Sequence, residues 1–276
     1  MKSSRIAFGA VLLALACQVP KTISQENPFV KFTVSGTFDN SDKLALSGWF
    51  IVNENNGLVV RADLFHGSAE FASLPVGQGQ EGGDFFLSQS NSHLDTLNLI
   101  FPAPGNDGSL AGYTGGVICS NLYSVCPGVE SSFFDGQMHS YYGEDLVYVG
   151  SISKAGHVPS VRISIKPHGE GPALIDPRSH SLSTIAIIST GQFDAVTDVD
   201  TTSLTFGPTG LEQSITSCNK DGRDVNGDRV PDLICHFNPR LTQFLPSESL
   251  GILVGKTTQG TPIVGFERVA VMPMGK

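Results

Sequence analysis

Four oxygen-bearing side chains fall at relative positions one, three, five and nine of the stretch Asp224-Val-Asn226-Gly-Asp228-Arg-Val230-Pro-Asp232. Asp224, Asp228 and Asp232 packed this closely would repel one another, whereas a hard divalent cation needs several oxygen ligands and makes the same crowding favourable. The spacing is that of the front of a calcium loop. Asp224, Asn226, Asp228 and Asp232 would offer side-chain oxygens to Ca²⁺, and the Val230 carbonyl, water or Asp221 would complete the shell. The competing reading is a solvated acidic turn without metal. Arg229 stands at position six, where an EF-type loop has the glycine of its sharp turn, and position twelve is Cys235, where such a loop has a bidentate glutamate. Gly227 is the residue best able to relieve the turn. An ion held here would be structural, not catalytic.

No Gly-x-Ser-x-Gly elbow, His-Glu-x-x-His pattern or P-loop occurs in the chain. The histidines are scattered, and His157, His168 and His180 lie in polar stretches that read as solvated loops. Asp63 and Asp145 are a carboxylate pair that a fold can bring together for glycoside hydrolysis, though any acidic exported domain offers such pairs. Rings are the better carriers of binding, because they present large apolar faces at low entropy cost. Among Trp49, Phe65, Tyr113, Tyr123, Tyr141 and Tyr142, the tryptophan sits in an apolar strand and reads as core. Tyr141 and Tyr142 lie in a polar stretch, and Tyr123 lies on a loop between two cysteines. These three tyrosines are the candidates to bind a carbohydrate or protein ligand.

Lys2 and Arg5 precede an apolar run from Ile6 to Ala16 that closes in Ala14-Leu15-Ala16, the pattern of a secretory signal over residues 1–24. The run is shorter than the ~20 apolar residues of a membrane-spanning helix, and no later segment reaches that length. Cleavage before Cys17 would leave a lipoprotein anchored through that residue. Cleavage near Ser24 would remove it and leave Cys119, Cys126, Cys218 and Cys235, an even set suited to an oxidising compartment. Cys119 with Cys126 and Cys218 with Cys235 are the natural local pairs, the second clamping the segments on either side of the acidic loop; four reduced, buried thiols are the alternative. Without a Cys-x-x-Cys pair a zinc site is disfavoured. A formal charge of −9 with no basic cluster disfavours nucleic acid and anionic membrane surfaces as partners.

The elements that must position these groups read as strands. Phe32, Val34, Gly36 and Phe38 alternate with polar residues, as in a strand with one buried face. Leu44 to Val52 and Leu58 to Leu64 flank Asn55-Asn56-Gly57, which is hairpin chemistry. Further short runs follow at Phe85 to Leu87, Leu94 to Phe101, Tyr113 to Cys119, Ser131 to Phe134 and Leu146 to Ile152. A boundary is expected at Lys154-Ala155-Gly156-His157. Beyond it Val161, Ile163 and Ile165 share a face in a single strand ending at Pro167, and the remainder again reads as strands. No long segment keeps a helical period, so the expected fold is all-β, with two β-sandwich-like domains at 25–155 and 156–276.

The ordered series Ile163-Ser-Ile-Lys-Pro167, Ile175-Asp-Pro177, Thr184 to Thr190, Phe193-Asp-Ala195, Asp198-Val-Asp200, Thr205-Phe-Gly207, the acidic loop, Gly260-Thr-Pro262 and Gly265-Phe-Glu-Arg-Val269 resembles a β-module of secreted and surface bacterial proteins. That resemblance spans roughly Val158 to Pro273 and implies location and fold more than activity. Phe32 to Phe38, Ala62-Asp63, Leu97 to Pro102 and Gly112-Tyr-Thr-Gly-Gly116 resemble short strings of the secreted bacterial β-modules found in proteins with sorting signals. Met274-Gly-Lys276 offers no sorting helix, so anchoring by that route is not expected. The expectation is therefore an exported bacterial protein with a binding or structural role at the cell surface or in the medium. Its rival is a secreted hydrolase acting on polysaccharide, with its site between the domains or on a face of the first.

Overall fold

A computed structural model describes residues 27–39, 42–81, 84–102, 109–119, 133–135 (backbone), 145–166, 172–247 and 250–273. In the first half the strands are β1 (Phe29–Phe38), β2 (Ala45–Asn53), β3 (Leu58–His66), β4 (Ala69–Phe71), β5 (Gly77–Glu81), β6 (Asp84–Ser90), β7 (Thr96–Pro102), β8 (Gly115–Ile118), β9 (Phe133–Asp135) and β10 (Asp145–His157). They pair antiparallel in the order β4-β3-β2-β1-β10-β9-β7-β6-β5, with β8 also on β10. Strand β10 belongs to both faces of a sandwich. Asp145 and Leu146 pair with β9, whereas Val147 to His157 pair with β1.

The second half contributes β11 (Ser160–Val161), β12 (Ile163–Ile165), β13 (Ala173–Ile175), β14 (Ser183–Ile187), the single-turn α1 (Ala195–Asp198), β15 (Val199–Gly207), β16 (Ile215–Arg223), β17 (Asp232–Phe237), β18 (Leu250–Thr257) and β19 (Pro262–Val271). One sheet runs β11-β19-β18-β15 with β13 also on β19, and a second runs β12-β14-β17-β16. The single strand expected from Pro159 to Pro167 is in fact two. Strand β11 pairs parallel with β19 and β12 pairs antiparallel with β14, so the chain changes sheet at Arg162.

The cores show how the sheets stack. Val30, Phe32 and Val34 of β1 pack with Phe85, Leu87, Leu97, Leu99 and Phe101 across the first sandwich. Phe206, Leu253 and Ile263 pack with Ile185, Ile187, Leu233, Cys235 and Phe237 across the second. A third core joins the halves: Phe29, Trp49, Ile51 and Val60 of the first meet Ile252, Val254 and Val264 of the second. The sheets thus form four layers face to face, the first half's single sheet supplying two of them by folding over at β10, and the two inner layers are covered on both sides. This is why Trp49 to Asn53 and Val59 to Leu64 are buried without a break, as are Ser203 to Gly207 and Gly251 to Val254.

The junction is packed and hydrogen-bonded to both halves. Strand β10 continues through the expected boundary, and two residues later β11 has entered the second sandwich. Val158 is buried in the core between the halves. Its N–H donates to the Phe29 carbonyl at 2.9 Å, its carbonyl accepts from Asn27 Nδ2 at 2.7 Å, and the Pro159 carbonyl accepts from Val264 N–H at 3.1 Å. These bonds tie the backbone at the crossing to both halves.

Candidate functional site

The acidic stretch connects β16 to β17, and Cys218 and Cys235, directly opposed on these strands, are joined by a disulfide. Short polar side chains fold back onto their own backbone here, as Asp and Asn do in turns. Asp224 accepts from the N–H groups of Asn226, Gly227 and Arg229 at 3.2, 2.7 and 2.8 Å. Those bonds, led by the one from Arg229, hold its carboxyl below the ordinary aspartate range. Asn226 accepts from Asp228 N–H at 2.9 Å and donates to Asp228 Oδ2 at 2.8 Å, while Asp228 Oδ1 accepts from Val230 N–H at 2.8 Å. Asp232 is turned inward and wholly buried, with Oδ1 on Ser189 N–H and Oδ2 on Val225 N–H, both at 2.9 Å.

The structure therefore groups Asp224, Asn226 and Asp228 at the exposed loop and makes Asp232 its anchor. No cluster of three or more His, Cys, Asp or Glu side chains able to hold a metal occurs among the described residues. The turn at position six is nevertheless present. Arg229 has φ 69° and Gly227 has φ 82°, so a non-glycine residue holds the left-handed conformation. Such a residue carries a cost of about 1–2 kcal/mol that glycine escapes, offset in part by glycine's greater freedom when unfolded. Arg229→Gly is expected to raise stability by about 0.5–1 kcal/mol in urea denaturation; a loss would show that the Arg229 side chain stabilises the loop.

A cleft of about 820 Å³ opens where the two halves meet. Its walls come from Arg61, Glu70, Ser73 and the β6–β7 hairpin tip at Ser90 to His93 on one side, and from Asp200, Thr202, Gln213 and Lys256 on the other. A bulge in β3 aims the floor. Ile51 pairs with Arg61 but Val52 pairs with Val59, and the extra residue lets both Val60 and Arg61 face the second half. Arg61 Nη1 donates to the Ser203 carbonyl at 2.6 Å. An irregularity between Asp200 and Thr205 of β15 forms the opposite wall, pinned where Ser203 Oγ donates to the Asp200 carbonyl at 2.7 Å and accepts from Lys256 N–H at 2.8 Å.

At the bottom, Lys256 Nζ donates to Asp63 Oδ2 at 2.8 Å and to Glu70 Oε1 at 2.7 Å. Burial raises the Asp63 carboxyl above its ordinary range, with Lys256 acting against the shift. Glu70 moves the other way, lowered first by its hydrogen bond to Lys256. Burial alone would lower the Lys256 ammonium, but its two carboxylate partners leave it raised. Burial also lowers the Arg61 guanidinium, against the attraction of Asp63, Asp200 and Glu70.

Asp63 and Asp145 do not meet. Asp145 Oδ2 is 2.7 Å from His66 Nε2, and His66 packs edge-on against Phe38 with ring centroids 4.4 Å apart. Asp63 and His66 are three residues apart on one strand and so project to opposite faces, so the structure does not bring together the Asp63 and Asp145 carboxylates that the sequence offered as one possible pair. Tyr113 is also no surface ring. It is buried against Phe32 and Phe101 with centroids 5.4 and 5.2 Å away, and burial raises its phenol. Tyr123, Tyr141, Tyr142, Cys17 and Cys126 lie outside the described residues; Cys119 is disulfide-bonded. Sequence reasoning missed Arg61, Glu70, Asp200 and Lys256, although Arg61 and Asp63 interrupt an apolar run in a way that marks a polar seam.

No protein-family model and no curated protein matches the chain. A solved structure described as "Structural insight into host cell surface retention of a 1.5-MDa bacterial ice-binding adhesin" aligns with 89% of this chain and 88% of its own, at 11% identity and a TM-score of 0.25. What this chain shares with that bacterial surface protein is a distant likeness, and the site described above stands on its own geometry.

Proposed function

We propose that this is a secreted or cell-surface binding protein whose two sandwiches are locked into one body and take a ligand in the cleft between them. The observation that carries the reading is the cleft itself: both halves contribute its walls, and the Asp63–Lys256–Glu70 and Arg61–Ser203 contacts hold those walls in place. A concavity with convergent polar groups held on rigid strands is a form that recognition sites take. The test is binding of labelled protein to intact bacterial cells, compared with Thr202→Trp, which fills the cleft from an exposed wall position. Binding lost in a variant with unchanged melting supports the reading; equal binding by both proteins contradicts it.

The same reading includes a structural Ca²⁺ in the loop between β16 and β17. Asp224, Asn226, Asp228 and the Val230 carbonyl would hold it on the exposed side, with Asp232 anchoring the loop beneath. Its support is the spacing of those residues and the left-handed turn at Arg229. Millimolar Ca²⁺ against EGTA is expected to stabilise the fold by about 2.7 kcal/mol at a hundredfold excess over Kd, read as a higher unfolding midpoint, and Asp228→Ala to abolish the rise. No shift would leave the loop as a self-bonded acidic turn.

One observation favours hydrolysis of a polysaccharide as a second reading: Asp63 and Glu70 converge in the cleft with carboxyls shifted in opposite directions, as an acid and a base are. Lys256 lies between them and engages both, which favours a fastener. Release of reducing ends from a polysaccharide, lost in Glu70→Gln, would establish the enzyme instead.

A further inference from the structure

We propose that the cleft takes a neutral, polyhydroxylated ligand, an oligosaccharide segment, and that Gln213, Ser92 and Thr202 contact it. The inference rests on the reading of the cleft as the binding site and adds the class of ligand.

Charge is the first argument. The two cations of the floor are already engaged, Arg61 by the Ser203 carbonyl and Lys256 by two carboxylates, so an anionic ligand would have to break these bonds to gain a partner. The upper walls offer hydroxyl and amide groups instead. The wall carboxylates are engaged as well, Glu70 by Lys256 and Asp200 by the Thr202 N–H and hydroxyl at 3.0 and 2.6 Å. Ser92 and Gln213 are exposed on the cleft and can each donate and accept, and the Thr202 hydroxyl oxygen can accept, which matches the dual character of a sugar hydroxyl. Leu74 and Ala72 add a small apolar wall suited to the C–H face of a sugar ring.

The rim is fixed in advance. Asn91 Oδ1 accepts from the N–H groups of His93 and Asp95 at 2.9 and 3.0 Å, holding the hairpin tip, and Leu94 sits there at φ 67° and 74% exposed.

The test is calorimetric titration of the full chain with soluble neutral oligosaccharides (gluco-, manno-, galacto- and xylo-configured), with acidic uronate oligomers and a basic peptide alongside. The expected result is binding of a neutral oligosaccharide that is unchanged between low and high salt, weakened about three- to tenfold by Gln213→Ala and abolished by Thr202→Trp. Gln213 is exposed, so its variant keeps the fold intact. Cleft-dependent binding confined to the uronates or the peptide, falling as salt rises, overturns the ligand class while leaving the cleft as the site. Neutral binding that survives Thr202→Trp overturns the site as well. Failure of every neutral oligosaccharide to bind, while cell binding stays sensitive to Thr202→Trp, also overturns the class.

Discussion

Lys256→Met is expected to destabilise the protein by about 3–5 kcal/mol near neutral pH, because it leaves a buried carboxylate without its counter-charge. The side chain of Asp63 is only 4% exposed, and Lys256 supplies the ion pair that makes its burial tolerable. Glu70, 49% exposed, is hydrated when Lys256 is gone and contributes little to the loss. The pH dependence follows from the opposite shifts of the two carboxyls. Asp63 is raised in the folded state, so its contribution is most favourable below the unfolded carboxyl range and is lost as pH rises through its folded value. Glu70 is lowered, so its contribution is present above the unfolded range and is lost as pH falls through its folded value. Removing Lys256 drives Asp63 further up and takes away the cause of the Glu70 shift. The deficit of the variant is therefore expected to shrink steadily as pH falls from 7 towards the acid range, and Lys256→Met/Asp63→Asn to recover a large part of it at neutral pH. Urea denaturation of the three proteins across that range decides the matter. A deficit independent of pH, or a double variant no better than the single one, would mean that Lys256 acts through packing and not as the partner of Asp63.

Trp49→Ala is expected to cost a comparable amount, about 3–5 kcal/mol, through the cavity it leaves. What separates it from other core truncations is where the cavity lies. Trp49 is 7% exposed and packs between the second and third layers, with Lys31 Nζ 5.7 Å from its ring centre, so its loss weakens neither sandwich from within. Calorimetry is expected to show the unfolding of Trp49→Ala resolved into two transitions, as the halves lose their coupling. Phe101→Ala, a cavity of similar kind inside the first sandwich, is expected to lower stability without that separation caused at the joint. Identical transition shapes for the two variants would contradict a joint built on Trp49.

The joint was half-legible in the sequence. Strand β1 alternates and is readable as a one-sided strand, and Asn55-Asn56-Gly57 marks the β2–β3 hairpin with the residues that turns require. Trp49-Phe50-Ile51-Val52 and Ile252-Leu253-Val254 do not alternate, and an unbroken apolar run of this length is what a strand covered on both faces looks like. That pattern says that a second layer exists but not which one, since the partners lie far apart along the chain: Asp63 and Lys256 are separated by 193 residues. The same distance hid the cleft, whose residues are ordinary surface types brought together by two bulges. The acidic loop was legible because Asp and Asn at alternate positions bond to their own backbone, a local interaction. The inward turn of Asp232 depends on Ser189, a contact 43 residues away, and no local rule gives it. Arg162 marks the place where one expected strand became two, a change of sheet set by tertiary packing and not by the apolar period.

A fixed cleft requires the two halves to be one body, and the distance between its walls measures that directly. Spin labels at Ser92→Cys and Gln213→Cys, exposed wall positions from opposite halves, report it by pulsed dipolar spectroscopy with the native disulfides intact. The expected result is one narrow distance distribution in the parent background that broadens when Trp49→Ala is added. A broad distribution in the parent background would mean that the halves move independently, and would contradict a binding site built between them.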